Sequence, residues 1–382
     1  MTPEDLALLQ ALDPALPGIA LLADAETVLD IGYLRWKPGT SLVAGVLTPL
    51  GPGFLLCAAP PARAKVDKLV SRAPEGGVLR HDPGRRAVLA RPAADRDLPG
   101  LRRLPGEATQ VLAYKPQRRW VGRVAEPGSS PAGPVLRLYR KGLLPGTAAR
   151  WPGPEDAPFR IPRVLDLDAR RSCMATEHLS GRPLLDAAVD AAERREAMRA
   201  LGEALARWHA RPAPARAATG RTGIVAAHRQ LLRLLPDEHR RLARLAARLE
   251  HLERSRTDEG RVVWCHGDLS ADQVLLGNER APGIALLDWD RSGAGSPARD
   301  LAEADAAGLD DGGDGPGLPE PLRAALLEGY ERRAPLPRGL SAARARACFV
   351  RAAEPFRRAL PGWPALMRAR LDRTETLLEE LR

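Results

Sequence analysis

Arg261-Val262-Val263-Trp264-Cys265-His266-Gly267-Asp268 runs straight into Leu269-Ser270-Ala271-Asp272-Gln273-Val274-Leu275-Leu276, and these residues decide the fold. Arg261 to Cys265 read as a short apolar strand that delivers Asp268 into a loop. Gln273, five residues on, can turn back toward the same point. A second apolar strand, Ile284-Ala285-Leu286-Leu287, ends in Asp288-Trp289-Asp290, and Ser296-Pro297-Ala298-Arg299-Asp300-Leu301-Ala302 follows. Two neighbouring strands therefore each end in a carboxylate.

Carboxylate and amide oxygens of this kind suit Mg²⁺, which takes few protein ligands and completes its shell with water and phosphate oxygens. Phosphoryl transfer needs a positioned base, a metal bridging the phosphates and little covalent chemistry. The arrangement resembles the aminoglycoside phosphotransferase family, the small-molecule branch of the protein-kinase-like fold. The pieces that carry the resemblance are His266-Gly267-Asp268, Gln273, Asp288-Trp289, and Gly295-Ser296-Pro297 with Asp300-Leu301-Ala302. Order and spacing agree over about 40 residues. The resemblance implies that Asp268 is the catalytic base, that Gln273 and Asp288 hold Mg²⁺, and that His266 and Asp300 brace the loop. It also implies ATP as the second substrate.

The match continues upstream more faintly. Met174 to Leu184 looks like the family's interlobe hinge, where backbone groups near Glu177 and Leu179 would bind adenine. Gly202 to His209 looks like its first large helix. Maltokinase-like members carry an added N-terminal domain and a glutamine at the position of Gln273. The resemblance thus implies an α+β, bilobal protein-kinase-like fold: an α/β cap over 1–105, a small β-rich lobe over 106–180 and a large helical lobe over 181–382.

Three departures stand out. The third strand of the sheet lobe, Val135-Leu136-Arg137-Leu138-Tyr139, carries Arg137 where the family has a phosphate-gripping lysine. Lys141 lies beyond that strand. The expected glutamate partner on a following helix has only Glu155 as a candidate, among prolines. The turn after Lys115, Pro116-Gln117-Arg118-Arg119, holds no glycine, so Lys115 and its neighbours would reach phosphate by side chain.

Leu34-Arg35-Trp36-Lys37-Pro38 recurs as Leu112-Ala113-Tyr114-Lys115-Pro116, each followed after four residues by Val-x-x-Val. Each copy reads as a strand, a proline-initiated turn and a returning strand. Further short strands are expected over Ile161–Leu167 and Ser172–Leu179, and a Gly128–Gly133 loop precedes Val135. Apolar residues then recur at helical spacing around Met198–Trp208, Leu242–Leu252, Leu322–Tyr330, Leu340–Leu360 and Pro364–Leu381.

The chain of 382 residues is long enough for two or three packed units. Its formal charge is +10, but arginine supplies all but five of its 58 basic residues and they are spread along the chain. That pattern is compositional bias and argues against nucleic acid as a partner. Cys57, Cys173, Cys265 and Cys348 lie far apart and form no metal or disulfide pattern. The uncharged run from Gly39 to Ala62 is broken by Thr48-Pro49-Leu50-Gly51, so two strands around a turn replace a membrane span. A cytoplasmic protein is expected, with a nucleotide and a small-molecule acceptor as partners and no membrane. The acceptor stays open among an aminoglycoside, a sugar, another alcohol, and Ser or Thr of a peptide in natural-product biosynthesis. A nucleotide-binding pseudokinase is the reading from a different class.

Overall fold

A computed structural model describes residues 1–104, 109–124, 133–153, 155–213, 223–254, 261–278, 281–308 and 317–381. The expected boundary at 105/106 and almost all of the Gly128–Gly133 loop lie outside them. The chain divides into two compact units: 1–146 with 164–178 and 354–365, and 147–163 with 179–353 and 366–382.

In the first unit, α1 (Pro3–Leu12) starts at a capping box in which Thr2 Oγ1 accepts from Asp5 N and Asp5 Oδ2 accepts from Thr2 N. An antiparallel sheet follows, built from β1 (Asp30–Lys37), β2 (Ser41–Thr48), β3 (Gly51–Ala58), β4 (Val78–Asp82) and β5 (Ala87–Ala90) in the order β1-β2-β3-β5-β4. The uncharged run is thus a hairpin in a sheet. Helix α2 (Ala64–Val70) lays Val66 and Leu69 onto Val43, Phe54, Leu56 and Val88, so one face of this sheet is core.

The second sheet of this unit comprises β6 (Thr109–Lys115), β7 (Arg119–Val124), β8 (Val135–Tyr139), β9 (Val164–Asp168) and β10 (Cys173–Thr176). Its order, β6-β7-β8-β10-β9, repeats the first, and α3 (Leu144–Ala148) sits between its third and fourth strands as α2 does in the first. The register repeats as well. Val43 lies opposite Arg35 and Leu56, and Val121 lies opposite Ala113 and Arg137.

The Lys-Pro echo marks the same turn in each sheet, and each turn is held by one carboxylate. Asp13 Oδ2 accepts from Trp36 Nε1 at 2.9 Å and Gly39 N at 2.8 Å. Asp95 Oδ2 accepts from Tyr114 Oη–H at 3.0 Å and Gln117 N at 2.6 Å. Gly39 and Gln117 both adopt φ of 61°. The two sheets are built alike, down to the side chain that pins the first hairpin.

The second unit is mostly helical. It contains β11 (Arg182–Pro183), α4 (Ala191–His209), α5 (Ile224–Leu234), α6 (His239–Arg254), β12 (Val263–Cys265), β13 (Val274–Asn278), β14 (Ala281–Leu286), β15 (Gly293–Gly295), α7 (Pro297–Ala307), α8 (Glu320–Glu331) and α9 (Leu340–Arg351). Asp190 caps α4 by accepting from Ala192 N and Glu193 N, each at 2.8 Å. Helices α4 and α8 cross at Gly202 and Gly329, where a Cβ would meet the backbone of the other helix at 2.1 and 1.9 Å. Only glycine permits that approach.

The helix expected over 340–360 ends at Arg351 and resumes as the short α10 (Glu354–Arg357). Pro355 has no N–H to bond the Arg351 carbonyl four residues back, so the helix cannot run through it. The chain ends in α11 (Trp363–Glu379). No described helix is long and apolar enough to cross a membrane.

Candidate active site

Five of the expected site residues, His266, Asp268, Gln273, Asp288 and Asp300, come together in the second unit. The strand β12 enters the loop at His266, and β13 and β14 form an antiparallel hairpin with Val274 opposite Leu286. Gln273 O accepts from Leu287 N at 3.0 Å, which sets Gln273 and Asp288 at the same end of that hairpin. His266 Nε2 lies 2.8 Å from Leu287 O and ties the loop to the same point. Trp289 is fully buried, with its ring centroid 4.6 Å from that of His266 and 5.3 Å from that of Trp208. These aromatic rings form the floor beneath the loop.

Asp300 organises the loop from below. Its carboxylate accepts from His266 N at 2.6 Å and Gly267 N at 2.8 Å, and lies 3.2 Å from His209 Nε2. Burial alone would raise its pKa. The hydrogen bond and charge of His209, the charge of His266 and the Gly267 N–H outweigh burial and hold it at about 2. Gly267 has φ of +86°, and a Cβ there would lie 2.2 Å from Arg291 O, so the turn admits no side chain. His209, Cys265 and Asp300 bring potential ligand atoms within 4.8 Å of one another. His209 already faces Tyr330 Oη and Asp300 through its two nitrogens, so the cluster is accounted for as a hydrogen-bonded brace.

Asp268 is partly exposed at the top of the loop. Its Oδ1 accepts from Arg351 Nη2 at 2.8 Å and, more weakly, from Arg291 Nη1 at 3.4 Å. Its Oδ2 accepts no hydrogen bond among the described residues. Arg351 is in turn held by Glu303, whose Oε2 accepts from its Nε at 2.6 Å. One oxygen of the carboxylate is therefore anchored and the other is open. Arg351 and Glu303 were not anticipated. Glu303 directly follows the Asp-Leu-Ala signature, but Arg351 lies 83 residues from Asp268 and in no motif.

Gln273 and Asp288 carry the features a hard cation would use. Gln273 Oε1 is buried and has no hydrogen-bond partner among the described residues, a costly state for an amide oxygen. Asp288 adopts φ 62°, ψ 54°, a left-handed conformation uncommon outside glycine. An unsatisfied amide oxygen and a carboxylate on a strained turn at one hairpin end fit Mg²⁺ by donor type.

The other expected residues lie elsewhere. Lys115 and Arg137 share a face of the second sheet, because Lys115 pairs with Arg119 and Arg137 with Val121, two residues further along the same strand. The opposite face carries Trp120 and Leu138, packed on Leu98 and Leu101. Glu177 and Leu179 stand in the irregular segment after β10, where the chain passes from one unit to the other. Glu155 is exposed in a turn, and α3, Leu144-Pro145-Gly146-Thr147-Ala148, holds no acidic residue.

A profile of the phosphotransferase enzyme family matches residues 100–340, more than half of the chain and the whole of this loop system. The chain belongs to this family. It is a phosphotransferase enzyme with an α+β, kinase-like fold. Among solved structures it is similar to a choline/ethanolamine kinase family protein from Mesorhizobium loti, with a TM-score of 0.50 and 18% identity over 75% of this chain and 93% of that one. It is also similar to an aminoglycoside phosphotransferase from Streptomyces rimosus (TM-score 0.47, 22% identity, 64% and 93% covered). A third is a macrolide 2'-phosphotransferase from Brachybacterium faecium (TM-score 0.42, 19% identity, 70% and 93% covered). No curated protein matches the phosphotransferase in sequence. Arg351 lies beyond the matched stretch, and residues 1–99 precede it.

Proposed function

We propose that this phosphotransferase moves the γ-phosphate of ATP, with Mg²⁺, onto a hydroxyl of a small-molecule acceptor. The observation that carries the reading is the Asp268 carboxylate, anchored by Arg351 through Oδ1 and open at Oδ2. That oxygen can accept or orient the acceptor's hydroxyl proton, as the catalytic-loop aspartate does in kinase chemistry. Gln273 Oε1 and Asp288 would hold the Mg²⁺. The ion, when bound, neutralises charge on the transferring phosphate. Asp300 and His266 keep the loop in shape through the contacts described above. Arg291, beside Asp268 and largely exposed, is a cation available to the phosphoryl group.

To Arg137 and Lys115 we assign the nucleotide phosphates, and to backbone groups near Glu177 and Leu179 the adenine. What supports Arg137 is its sheet face, opposite the Trp120–Leu138 core, and the planar fork that suits bidentate phosphate contacts. We read residues 1–105 as a cap, 106–180 as the sheet lobe and 181–382 as the helical lobe. The four cysteines are free thiols, which suits a reducing cytoplasm.

The test is ATP turnover, with and without Mg²⁺, against a panel of aminoglycosides, sugars, amino alcohols and Ser/Thr peptides. The reading requires Mg²⁺-dependent transfer to at least one alcohol that stops in Asp268→Asn. ATP binding without transfer to any alcohol in a broad panel would favour a nucleotide-binding pseudokinase.

A further inference from the structure

The first unit holds a cavity of about 340 Å³, within the size range of small-ligand sites. Leu56, Leu69 and Ser41 are its buried floor. Arg35, Lys37, Lys65, Lys68, Arg96 and Arg140 line its wall, against two carboxylates, Asp95 and Asp97. Asp95 is committed to the Tyr114 and Gln117 clamp. None of the six cations forms an ion pair among the described residues. Arg35 donates to Gln117 Oε1, and Lys65 Nζ lies 3.3 Å from Ser41 Oγ. Partial desolvation, then the charges of Lys37 and Arg35, lower the pKa of Lys65.

Composition makes this gathering specific. The chain uses lysine only five times, and three of the five converge here. Lys65 and Lys68, three residues apart on α2, share a helix face. A compact ammonium on a flexible stem suits a phosphate oxygen that must be reached from a rim.

The repeat between the two sheets says where the cavity stands. Lys37 is opposite Ser41 as Lys115 is opposite Arg119. Leu56 is opposite Val43 as Arg137 is opposite Val121. The cavity thus occupies, on the first sheet, the face whose counterpart on the second carries Lys115, Arg119 and Arg137. The first sheet has leucine at the Arg137 position, and its cavity takes cations from β1, α2, the 95–97 turn and Arg140 after β8.

We propose that this cavity binds a small anion carrying two or more phosphate groups, through residues distinct from Asp268, Gln273 and Asp288. Set against Asp95 and Asp97, the six cations leave four positive charges in excess; a single phosphate, at about −2, would neutralise about half of them, and a di- or triphosphate nearly all.

The experiment is calorimetric titration of the full chain, without Mg²⁺, with inorganic phosphate, pyrophosphate and tripolyphosphate. Lys65→Ala/Lys68→Ala and Arg137→Ala are titrated alongside. Lys65 and Lys68 are exposed, so the double variant should fold, as circular dichroism would verify. The expected result is saturable binding that strengthens from phosphate to tripolyphosphate. It weakens about tenfold or more in the double variant, the equivalent of roughly 1.4 kcal/mol or more, and persists in Arg137→Ala. Absence of saturable binding, equal affinity in the double variant, or loss in Arg137→Ala alone overturns the proposal. So does a single-stranded oligonucleotide that binds more tightly than tripolyphosphate through the same two lysines.

Discussion

Arg351 donates to Asp268 Oδ1 at 2.8 Å through one arm of its guanidinium and to Glu303 at 2.6 Å through Nε. The side chain is nearly buried, so the link from α7 through α9 to the loop is a fixed strut. Charge-assisted bonds of this kind are short and directional. Their effect is to hold the carboxylate by Oδ1 and leave Oδ2 without a hydrogen bond among the described residues.

If the strut positions the base, Arg351→Met should lower kcat by about 10- to 100-fold, the scale of a misplaced catalytic group, with KM for ATP little changed. Leaving Glu303 buried without its cation would also destabilise the fold. The double variant Arg351→Met/Glu303→Gln separates the two effects: it should regain stability but not kcat. Arg351→Lys should recover part of kcat. Steady-state kinetics with a urea melt of each variant reads both quantities, and unchanged kcat in the double variant would remove Arg351 from the positioning role.

Asp300 makes acid stability of the site predictable. Its folded pKa of about 2 lies below the ordinary 3.8, so the ionised form is favoured by folding. The stability it contributes is fully present above about pH 4 and is lost as pH falls toward 2. Asp300→Asn should lower the urea midpoint at neutral pH, because two backbone N–H groups lose a charged acceptor at roughly 1.5–3 kcal/mol each. The variant should also show a shallower loss of stability between pH 4 and 2. A wild-type slope in that window would place the acid sensitivity elsewhere.

Asp288 and Gln273 should differ in severity as metal residues. Asp288→Ala should abolish Mg²⁺-dependent turnover, since it removes the charged ligand. Gln273→Ala should raise the Mg²⁺ concentration needed for half-maximal rate while keeping a measurable kcat at saturation. A magnesium titration of both variants checks this, and wild-type turnover in Asp288→Ala would take that residue out of the metal site.

Arg137 tests whether an arginine replaces the usual lysine. Arg137→Ala should weaken ATP binding, and Arg137→Lys should retain part of it. The measurement is nucleotide affinity; because Arg137 is buried, thermal melts of both variants control for a change in folding. Equal affinity in wild type and Arg137→Ala would assign the phosphates to other groups.

Much of the site was legible because the loop's chemistry is local. His266, Asp268, Gln273, Asp288 and Asp300 fall within a short stretch, and the strands and turns that position them have their own apolar and glycine signals. The strand Val135–Tyr139 and the core of α4, α6 and α8 were legible for the same reason. Arg351 was not, because the strut depends on how α9 packs and no local spacing encodes it. The break at Pro355 was missed because the apolar period on either side is helical. The Lys-Pro echo was visible, but that two separate sheets share strand order and an aspartate clamp was not. Asp13 and Asp95 precede their turns by different distances, so only the fold lines them up.

The central claim is that Asp268 serves the transfer step and not nucleotide binding. The direct measurement is Asp268→Asn, assayed for single-turnover phosphoryl transfer and, separately, for ATP affinity with Mg²⁺. Transfer should fall by about 10²- to 10⁴-fold, as expected for loss of a general base, while ATP affinity stays within a few-fold of wild type. Loss of ATP binding as severe as the loss of transfer would contradict the account and make Asp268 a structural residue of the loop.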